Sequence, residues 1–216
     1  MPPAPTLAGP AAPADAAGSA GADPLQATRH WLERAVIGLG LCPFAQAVHG
    51  AGRIRWVLSP ATTAAALRAT LVDELRHLAA ADPQQTETTL IVHPQALRDF
   101  LDFNDFLGPA DAALRALGLA GTLQIASFHP QYRFAGTRAD DIANASNRSP
   151  HPTLHLLREA SVARAVAALP DAATIYRRNI ETLRRLGPAG WQALGLAGAP
   201  GPAADGPRRL RRPAGG

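Results

Sequence analysis

Three short segments rich in β-branched and apolar residues limit the folds open to this chain. Residues 53–59 (RIRWVLS), 87–93 (ETTLIVH) and 122–128 (TLQIASF) are predicted to be strands. Segments with helical periodicity separate them, and the helices that follow the first two strands are predicted to begin at Ser59-Pro60 and at Pro94. Because strands joined by helices run parallel, we expect an α/β domain with a short, mostly parallel sheet of three or more strands and flanking helices.

Composition divides the chain into one folded region and two terminal segments. Residues 1–22 are mostly Ala, Pro and Gly, too poor in large apolar groups to offset the entropy of ordering, and are predicted to be a disordered arm. Asp23 and Pro24 have the character of a helix N-cap and a first-turn proline, so a single domain is expected over residues 23–195. Residues 196–216 are predicted to be a flexible, Arg-rich tail.

The basic residues exclude several mechanisms. All 21 of them are Arg, which excludes a Schiff-base lysine, a lysine general base and a Walker A phosphate loop. Four lie within residues 208–212 and account for the net charge of +4, so nucleic acid is expected to bind only weakly, through the tail. Since Arg pairs well with carboxylates and phosphates, the composition allows a small anionic ligand as a partner.

Cysteine content and hydropathy indicate a cytoplasmic protein. Cys42 is the only cysteine, so no internal disulfide can form, as is usual in a reducing compartment. No apolar run approaches the roughly 20 residues of a membrane span, and the N-terminal arm lacks the basic and apolar regions of a signal peptide. The sequence carries no dinucleotide-binding fingerprint, and it leaves cofactors and oligomeric state open.

Residues 127–159 concentrate the side chains that are suited to acid–base chemistry. In open parallel sheets, ligands bind outside the carboxyl ends of the strands, and two predicted strands end in a His followed by Pro, at His93 and His129. His129 is the candidate general acid or base, with Asp140, Asp141 or Glu159 to orient it and Tyr132 as a proton donor. His93 is a candidate ligand-binding residue on the same rim. The alternative is that each histidine is only a turn residue before proline.

An anion site is predicted where the same stretch meets a helix expected over residues 152–169. Asn147, Arg148 and Ser149 precede that helix, whose free N–H groups and dipole would favour negative charge. Arg158, inside the helix, is a candidate second clamp. The alternative is that Ser149 only caps the helix and Arg148 pairs with an acidic neighbour.

Metal binding is a further hypothesis. His151, His155 and Glu159 are spaced so that all three would share one face of the predicted helix, the spacing of helical zinc sites. His129 is an additional candidate ligand if the rim and this helix meet. The alternative is that His155 and Glu159 form an ordinary polar pair on a solvated face.

Cys42 is a candidate nucleophile or redox thiol. It lies in a turn between a predicted helix and the first strand, because Pro43 disfavours helix at the preceding residue. A reactive thiol must be exposed near a positive group, and the alternative is a small buried hydrophobe. A pair formed by Cys42 and His129 would replace the metal hypothesis.

Four motifs occur in a characteristic order over residues 26–190: LCPFA at 41–45, ETTL at 87–90, NDFL at 104–107, and the run 128–159. Together they resemble an uncharacterised, mainly bacterial family, domain of unknown function 1415. The resemblance implies shared architecture but no known activity.

Two hypotheses of function follow. The first is an enzyme that acts on a small anionic metabolite in a pocket at the carboxyl ends of the strands. The second is a non-enzymatic ligand-binding or interaction domain. The chain departs from the family pattern at His151 and Ala160, where the family has Tyr and Asp.

Overall fold

A computed structural model describes residues 23–167 and 172–196. The predicted arm at 1–22 lies outside the described residues, as does the predicted tail from 197 onward. The helices are α1 (Pro24–Trp31), α2 (Ala45–Gly50), α3 (Ala64–Ala80), α4 (Phe100–Ala116), α5 (Glu159–Ala167) and α6 (Ala172–Ala193). The strands are β1 (Ile54–Leu58), β2 (Thr88–Val92), β3 (Leu123–Phe128) and β4 (Thr153–Arg158). A π-helical segment, Leu32–Ile37, continues α1, and a 3₁₀ helix spans Ile142–Asn147.

The four strands form one mixed sheet in the order β1-β2-β4-β3. β1 and β2 are parallel, whereas β4 lies between β2 and β3 and runs antiparallel to both. The three predicted strands are therefore confirmed, and all three point the same way, so that their carboxyl ends lie at one edge of the sheet. The sheet differs from the prediction because a fourth, antiparallel strand separates the second and third.

The helix predicted over residues 152–169 is wrong in its first part, since residues 153–158 form β4. β4 is a central strand, and Leu154 and Leu156 are fully buried on one of its faces, whereas His155 points to the other. A strand buried on both faces has an almost continuous apolar sequence, and over six residues that pattern does not distinguish a strand from a buried helix.

Helices α3 and α4 begin at residues whose side chains cap them, and not at the predicted positions beside proline. α3 begins after Thr63, whose Oγ1 accepts from the N–H of Ala66 at 3.2 Å. α4 begins after Asp99, whose Oδ1 accepts from the N–H of Leu101 at 2.8 Å. The starts predicted at Ser59-Pro60 and Pro94 are therefore wrong, and a loop separates each strand end from the next helix.

Helices cover both faces of the sheet, and each face has its own apolar core. Leucines and phenylalanines pack α3 and α4 on one face: Leu67, Leu71, Leu75, Leu78, Phe103 and Phe106. Side chains of α1, the π-helical segment and α6 pack on the other: Trp31, Leu32, Ala35, Val36, Leu183 and Trp191. Burying one large apolar side chain contributes roughly 1.5–3 kcal/mol, so these two clusters hold the layers together. None of the described helices combines the length and apolar character that crossing a membrane requires.

Arg158 fastens the end of β4 to α3. Its Nη2 donates to the carbonyl oxygens of Leu78 at 2.8 Å, Ala81 at 2.7 Å and Thr86 at 3.1 Å. Carbonyl groups at the end of a helix lack a partner within the helix, and the guanidinium supplies one. This predicted ligand-binding residue therefore uses Nη2 to hold the main chain.

Replacing Arg158 by Met is expected to lower the free energy of unfolding by about 2–4 kcal/mol, because three carbonyl groups lose a charged donor. Arg68→Met is the matched control, since Arg68 is exposed on α3 and has no partner among the described residues; its expected change is below about 0.5 kcal/mol. Urea unfolding followed by circular dichroism measures both. Equal, small losses would contradict the assignment.

Candidate functional site

Two histidines lie beneath the carboxyl edge of the sheet. His93 follows β2, His129 follows β3, and both side chains are fully buried. The two rings stack on the same phenyl ring, with centroids 5.7 Å and 5.1 Å from that of Phe103. The structure thus brings these two predicted site residues together, but inside the domain.

Main-chain groups fix the protonation of both rings. Nδ1 of His93 donates to the carbonyl of Ala96 at 3.0 Å, and its Nε2 is buried without a hydrogen-bond partner. Nδ1 of His129 accepts the N–H of Gln131 at 3.0 Å, so its Nε2 carries the proton, 3.3 Å from the carbonyl of Leu97. Burial lowers the pKa of both imidazoles, that of His93 to about 4, which makes both rings neutral at pH 7.

Arg148 holds the loop between β3 and β4. Its Nε donates to the carbonyl of Tyr132 at 3.2 Å, and its Nη2 donates to that of Ala139 at 2.5 Å. The ring of Tyr132 packs against Phe100 and Phe134, with centroids 5.4 Å and 5.1 Å apart. Both predicted site residues therefore contribute to the shape of this loop.

Asn147 and Ser149 hold the entry to β4. Nδ2 of Asn147 donates to the carbonyl of Ser127 at 3.2 Å, and Oγ of the buried Ser149 donates to that of His151 at 2.6 Å. A strand follows these residues where a helix was predicted. The helix N-terminus on which the predicted anion site depended is therefore absent at this position.

The predicted metal ligands are separated by β4. His151 precedes the strand, His155 lies within it, and Glu159 follows it. Four residues of extended chain span roughly 13 Å, whereas four residues of helix would have brought successive ligands together. Glu159 also lies at the opposite edge of the sheet from His129. In the described ranges, no three His, Cys, Asp or Glu side chains are grouped so as to hold a metal ion.

A groove of about 360 Å³ opens at the carboxyl edge, and we call it the rim groove. It is lined by Pro94, Arg98, Pro130, Gln131, Pro150, His151 and Pro152. Burial lowers the pKa of His151, so Arg98 is the cation among these lining residues. Arg98 follows Leu97, whose φ of 52° is strained for a residue with a side chain. Arg98 was missed from sequence because it belongs to no motif.

A second groove, of about 200 Å³, lies on the face of the sheet opposite α3 and α4; we call it the sheet-face groove. Its lining comes from the turn before α2, from β3 and β4, and from α5 and α6: Leu41, Cys42, Pro43, Phe44, Gln124, Ala126, Phe128, His155, Leu157, Val162, Ala165, Val166 and Ile175. Only Cys42, Gln124 and His155 bring polar side chains. The structure therefore places Cys42 with His155, where the sequence suggested His129.

Thr88 fixes the tautomer of His155. The Thr88 hydroxyl donates its one hydrogen to the carbonyl of Leu156 at 2.6 Å. It lies 2.6 Å from Nε2 of His155, so Nε2 must carry the proton and donate to it. Nδ1 is left unprotonated, and it has no hydrogen-bond partner among the described residues. Burial lowers the pKa of His155 to about 4, so the ring is neutral at pH 7.

Burial and main-chain donors act in opposite directions on Cys42. Burial raises the pKa of the thiol, and the main chain at Phe44 and Ala45 lowers it by less. The resting groove therefore holds a neutral thiol and a neutral imidazole at pH 7. The turn that carries Cys42 follows the π-helical segment, an irregularity often found at functional sites.

Stability is expected to fall as the pH drops from about 6.5 toward 4. The pKa of His93 is lower in the folded protein than in the unfolded chain, so its stabilising contribution is complete above about pH 6.5 and is lost as the pH falls, by up to about 3 kcal/mol at pH 4. His93→Gln should flatten this part of the curve of unfolding free energy against pH. His30→Gln, at an exposed histidine, is the control. Parallel curves for His93→Gln and the unchanged protein would contradict the account.

Cys42 is expected to react with iodoacetamide slowly at pH 7, because the raised pKa of its thiol leaves little thiolate. The rate should keep rising with pH beyond the point at which the urea-unfolded chain reaches its plateau. With one cysteine in the chain, mass spectrometry of the intact protein reports this reaction alone. If the rate for the folded protein instead reached its plateau at a lower pH than the rate for the unfolded chain, the thiol would rest as a thiolate.

The sequence pattern of one protein family matches residues 23–193, and the family is described as a protein of unknown function (DUF1415). No curated protein and no solved structure matches the chain. The match covers most of the chain and includes every residue of both grooves. The chain therefore belongs to the DUF1415 family.

Proposed function

We propose that this protein is an enzyme in which Cys42 is the nucleophile and His155 the general base, acting on a small carbonyl compound in the sheet-face groove. One observation carries the proposal: the only thiol of the chain and an imidazole with a free Nδ1 line the same, largely apolar groove. A nucleophile, a base and a third group that orients the base are the minimum components of nucleophilic catalysis. Thr88 is the orienting group.

The reaction would begin from the neutral pair. Sγ of Cys42 attacks the carbonyl carbon of an ester or thioester while its proton passes to Nδ1 of His155. The bond to the leaving alcohol or thiol then breaks, and that group takes the proton from Nδ1. Water, deprotonated by Nδ1, attacks the Cys42 thioester, which releases a carboxylic acid and restores the thiol.

Thr88 acts as a positioning residue through His155. Its hydroxyl accepts the Nε2 hydrogen of His155 before and after proton transfer, and therefore stabilises the imidazolium that forms during attack. Phe128 packs near the same ring, with centroids 6.1 Å apart, and restricts its rotation. The largely apolar lining makes the surroundings of the reacting groups less polar, which strengthens the electrostatic interactions among them.

Cys42→Ser and His155→Phe are expected to lower the rate of aryl ester hydrolysis at least about 100-fold, because general base assistance typically contributes that much. Thr88→Val should give a smaller loss and shift the pH profile of the reaction, since it frees the tautomer of His155. His30→Phe is the control, at an exposed histidine outside the groove. Mass spectrometry should detect an acyl group on Cys42. Hydrolysis unchanged in Cys42→Ser would contradict the proposal.

A second candidate function is the binding of a small anion in the rim groove, favoured by Arg98, which is exposed there and has no partner among the described residues. This location agrees with the predicted pocket at the carboxyl ends of the strands. His129 and Tyr132, the predicted acid–base residues, are not among the residues that line this groove, and the proton of His129 points to the carbonyl of Leu97.

Titration with inorganic phosphate tests the second candidate. We expect saturable chemical-shift changes at Arg98 and Gln131. Arg98→Gln should weaken the affinity for phosphate at least about fivefold, because a carboxamide cannot replace the charged guanidinium. Arg115→Gln is the control, since Arg115 is exposed on α4, outside the groove. Shifts that keep rising linearly, or an equal loss in both variants, would reject an anion site.

A further inference from the structure

We infer that the substrates of the Cys42 site are amphiphilic esters or thioesters, with a compact apolar part in the sheet-face groove and an anionic part beside Arg178. This inference rests on the proposed function of Cys42 and His155. It names the class of substrate and the direction in which the substrate binds.

Cys42 lies between two grooves of opposite character. The second of them, the polar groove, has a volume of about 170 Å³ and shares Cys42, Pro43 and Ile175 with the sheet-face groove. Its polar side chains are those of Gln46, Arg178 and Asn179. A carbonyl carbon held at the sulfur would therefore have apolar surface on one side and polar groups on the other.

The part of α6 that carries Arg178, the cation of the polar groove, is tied to the turn before Cys42. Nδ2 of Asn179 donates to the carbonyl of Leu41 at 2.8 Å, which ties α6 to the residue before Cys42. Arg178, adjacent to Asn179, lines the groove and has no hydrogen-bond or ionic partner among the described residues. Among the described residues, no acidic side chain lines either groove, so an anion beside Arg178 would meet no repulsion from these linings.

Size and desolvation together fix the orientation of the substrate. Each groove is smaller than the roughly 300 Å³ of a typical small-molecule site, whereas the two together reach that size, so a ligand that fills the site spans Cys42. An anionic group placed among Leu157, Val162 and Val166 would lose its hydration without gaining a partner, which is costly. The apolar part of the substrate therefore occupies the sheet-face groove, and the anionic part lies beside Arg178.

The chemistry of the step is balanced by groups already named. Sγ of Cys42 forms the thioester with the acyl group, and the alcohol or thiol departs with the proton from Nδ1 of His155. Water then cleaves the thioester. The products are a carboxylic acid, an alcohol or thiol, and the free enzyme.

Two esters that differ only in charge test this inference: 3-carboxyphenyl butyrate and 3-carbamoylphenyl butyrate. We expect kcat/KM to favour the carboxylate ester about two- to fivefold, the range for an exposed ion pair, and salt to reduce the preference. Arg178→Gln should remove the preference, because kcat/KM for the carboxylate ester falls to the value for the neutral ester. Arg185→Gln, exposed on α6 outside the polar groove, should retain it.

The failures of the two proposals are distinguishable. If both esters acylate Cys42 with equal kcat/KM, or if Arg178→Gln retains the preference, the inference about the substrate is overturned and the enzyme remains. If neither ester acylates Cys42, the proposed function is overturned. Calorimetry with Cys42→Ala then measures how the two esters bind in the grooves without any reaction. Tighter binding of the carboxylate ester, lost on adding Arg178→Gln, supports the assignment of the anionic part to Arg178. Equal binding of the two esters overturns it.

Discussion

The antiparallel pairing of β4 with both β2 and β3 is the contact on which the rest of the structure depends. It fills the centre of the sheet, and the alternation of its side chains decides what each face receives. Leu154 and Leu156 enter the core beneath α3 and α4, whereas His155 points into the sheet-face groove. The same strand ends at Arg158, which holds the end of α3. A shift of one residue in its register would exchange the two faces and remove the imidazole from the groove.

The histidines of this chain differ in what surrounds them, and that difference separates structural from chemical roles. His93 and His129 are stacked on Phe103 and fully buried, with main-chain partners that fix their tautomers. His155 also has a fixed tautomer, but its partner is a hydroxyl that occupies Nε2 alone, and its ring lines a groove. Desolvation lowers the pKa of all three. Of the three, only His155 lines the groove that also contains the thiol of Cys42.

Much of the fold could be predicted from the sequence, because its signals are local. The strands at 54–58, 88–92 and 123–128 were recognisable from β-branched apolar runs between helical segments, and their common direction followed from the connections. The sequence of β4 predicts a helix, because leucines and a proline suit the start of a helix as well as a central strand. The predicted helical metal site and the predicted anion site at a helix N-terminus both required residues 152–169 to be helical. The strand at 153–158 therefore removes the basis of both.

The candidate site could be predicted only in part. Cys42 was recognised as a potential nucleophile from its position in a proline turn, but its partner could not be chosen among the histidines, since pairing depends on the order of strands in the sheet. Thr88 and Arg178 carry no local signal. The role of Thr88 arises from a hydrogen bond across 67 residues of sequence, and that of Arg178 from the packing of α6 against the turn before Cys42.

Nitrogen NMR of the His155 ring, labelled with ¹⁵N, tests the central claim most directly. At pH 7 the ring should be neutral, with the proton on Nε2 and an unprotonated Nδ1. Carboxamidomethylation of Cys42 should shift the Nδ1 resonance and leave the tautomer unchanged, because both groups line one groove. A protonated ring, a proton on Nδ1, or an Nδ1 resonance that does not respond to modification of Cys42 would contradict the account.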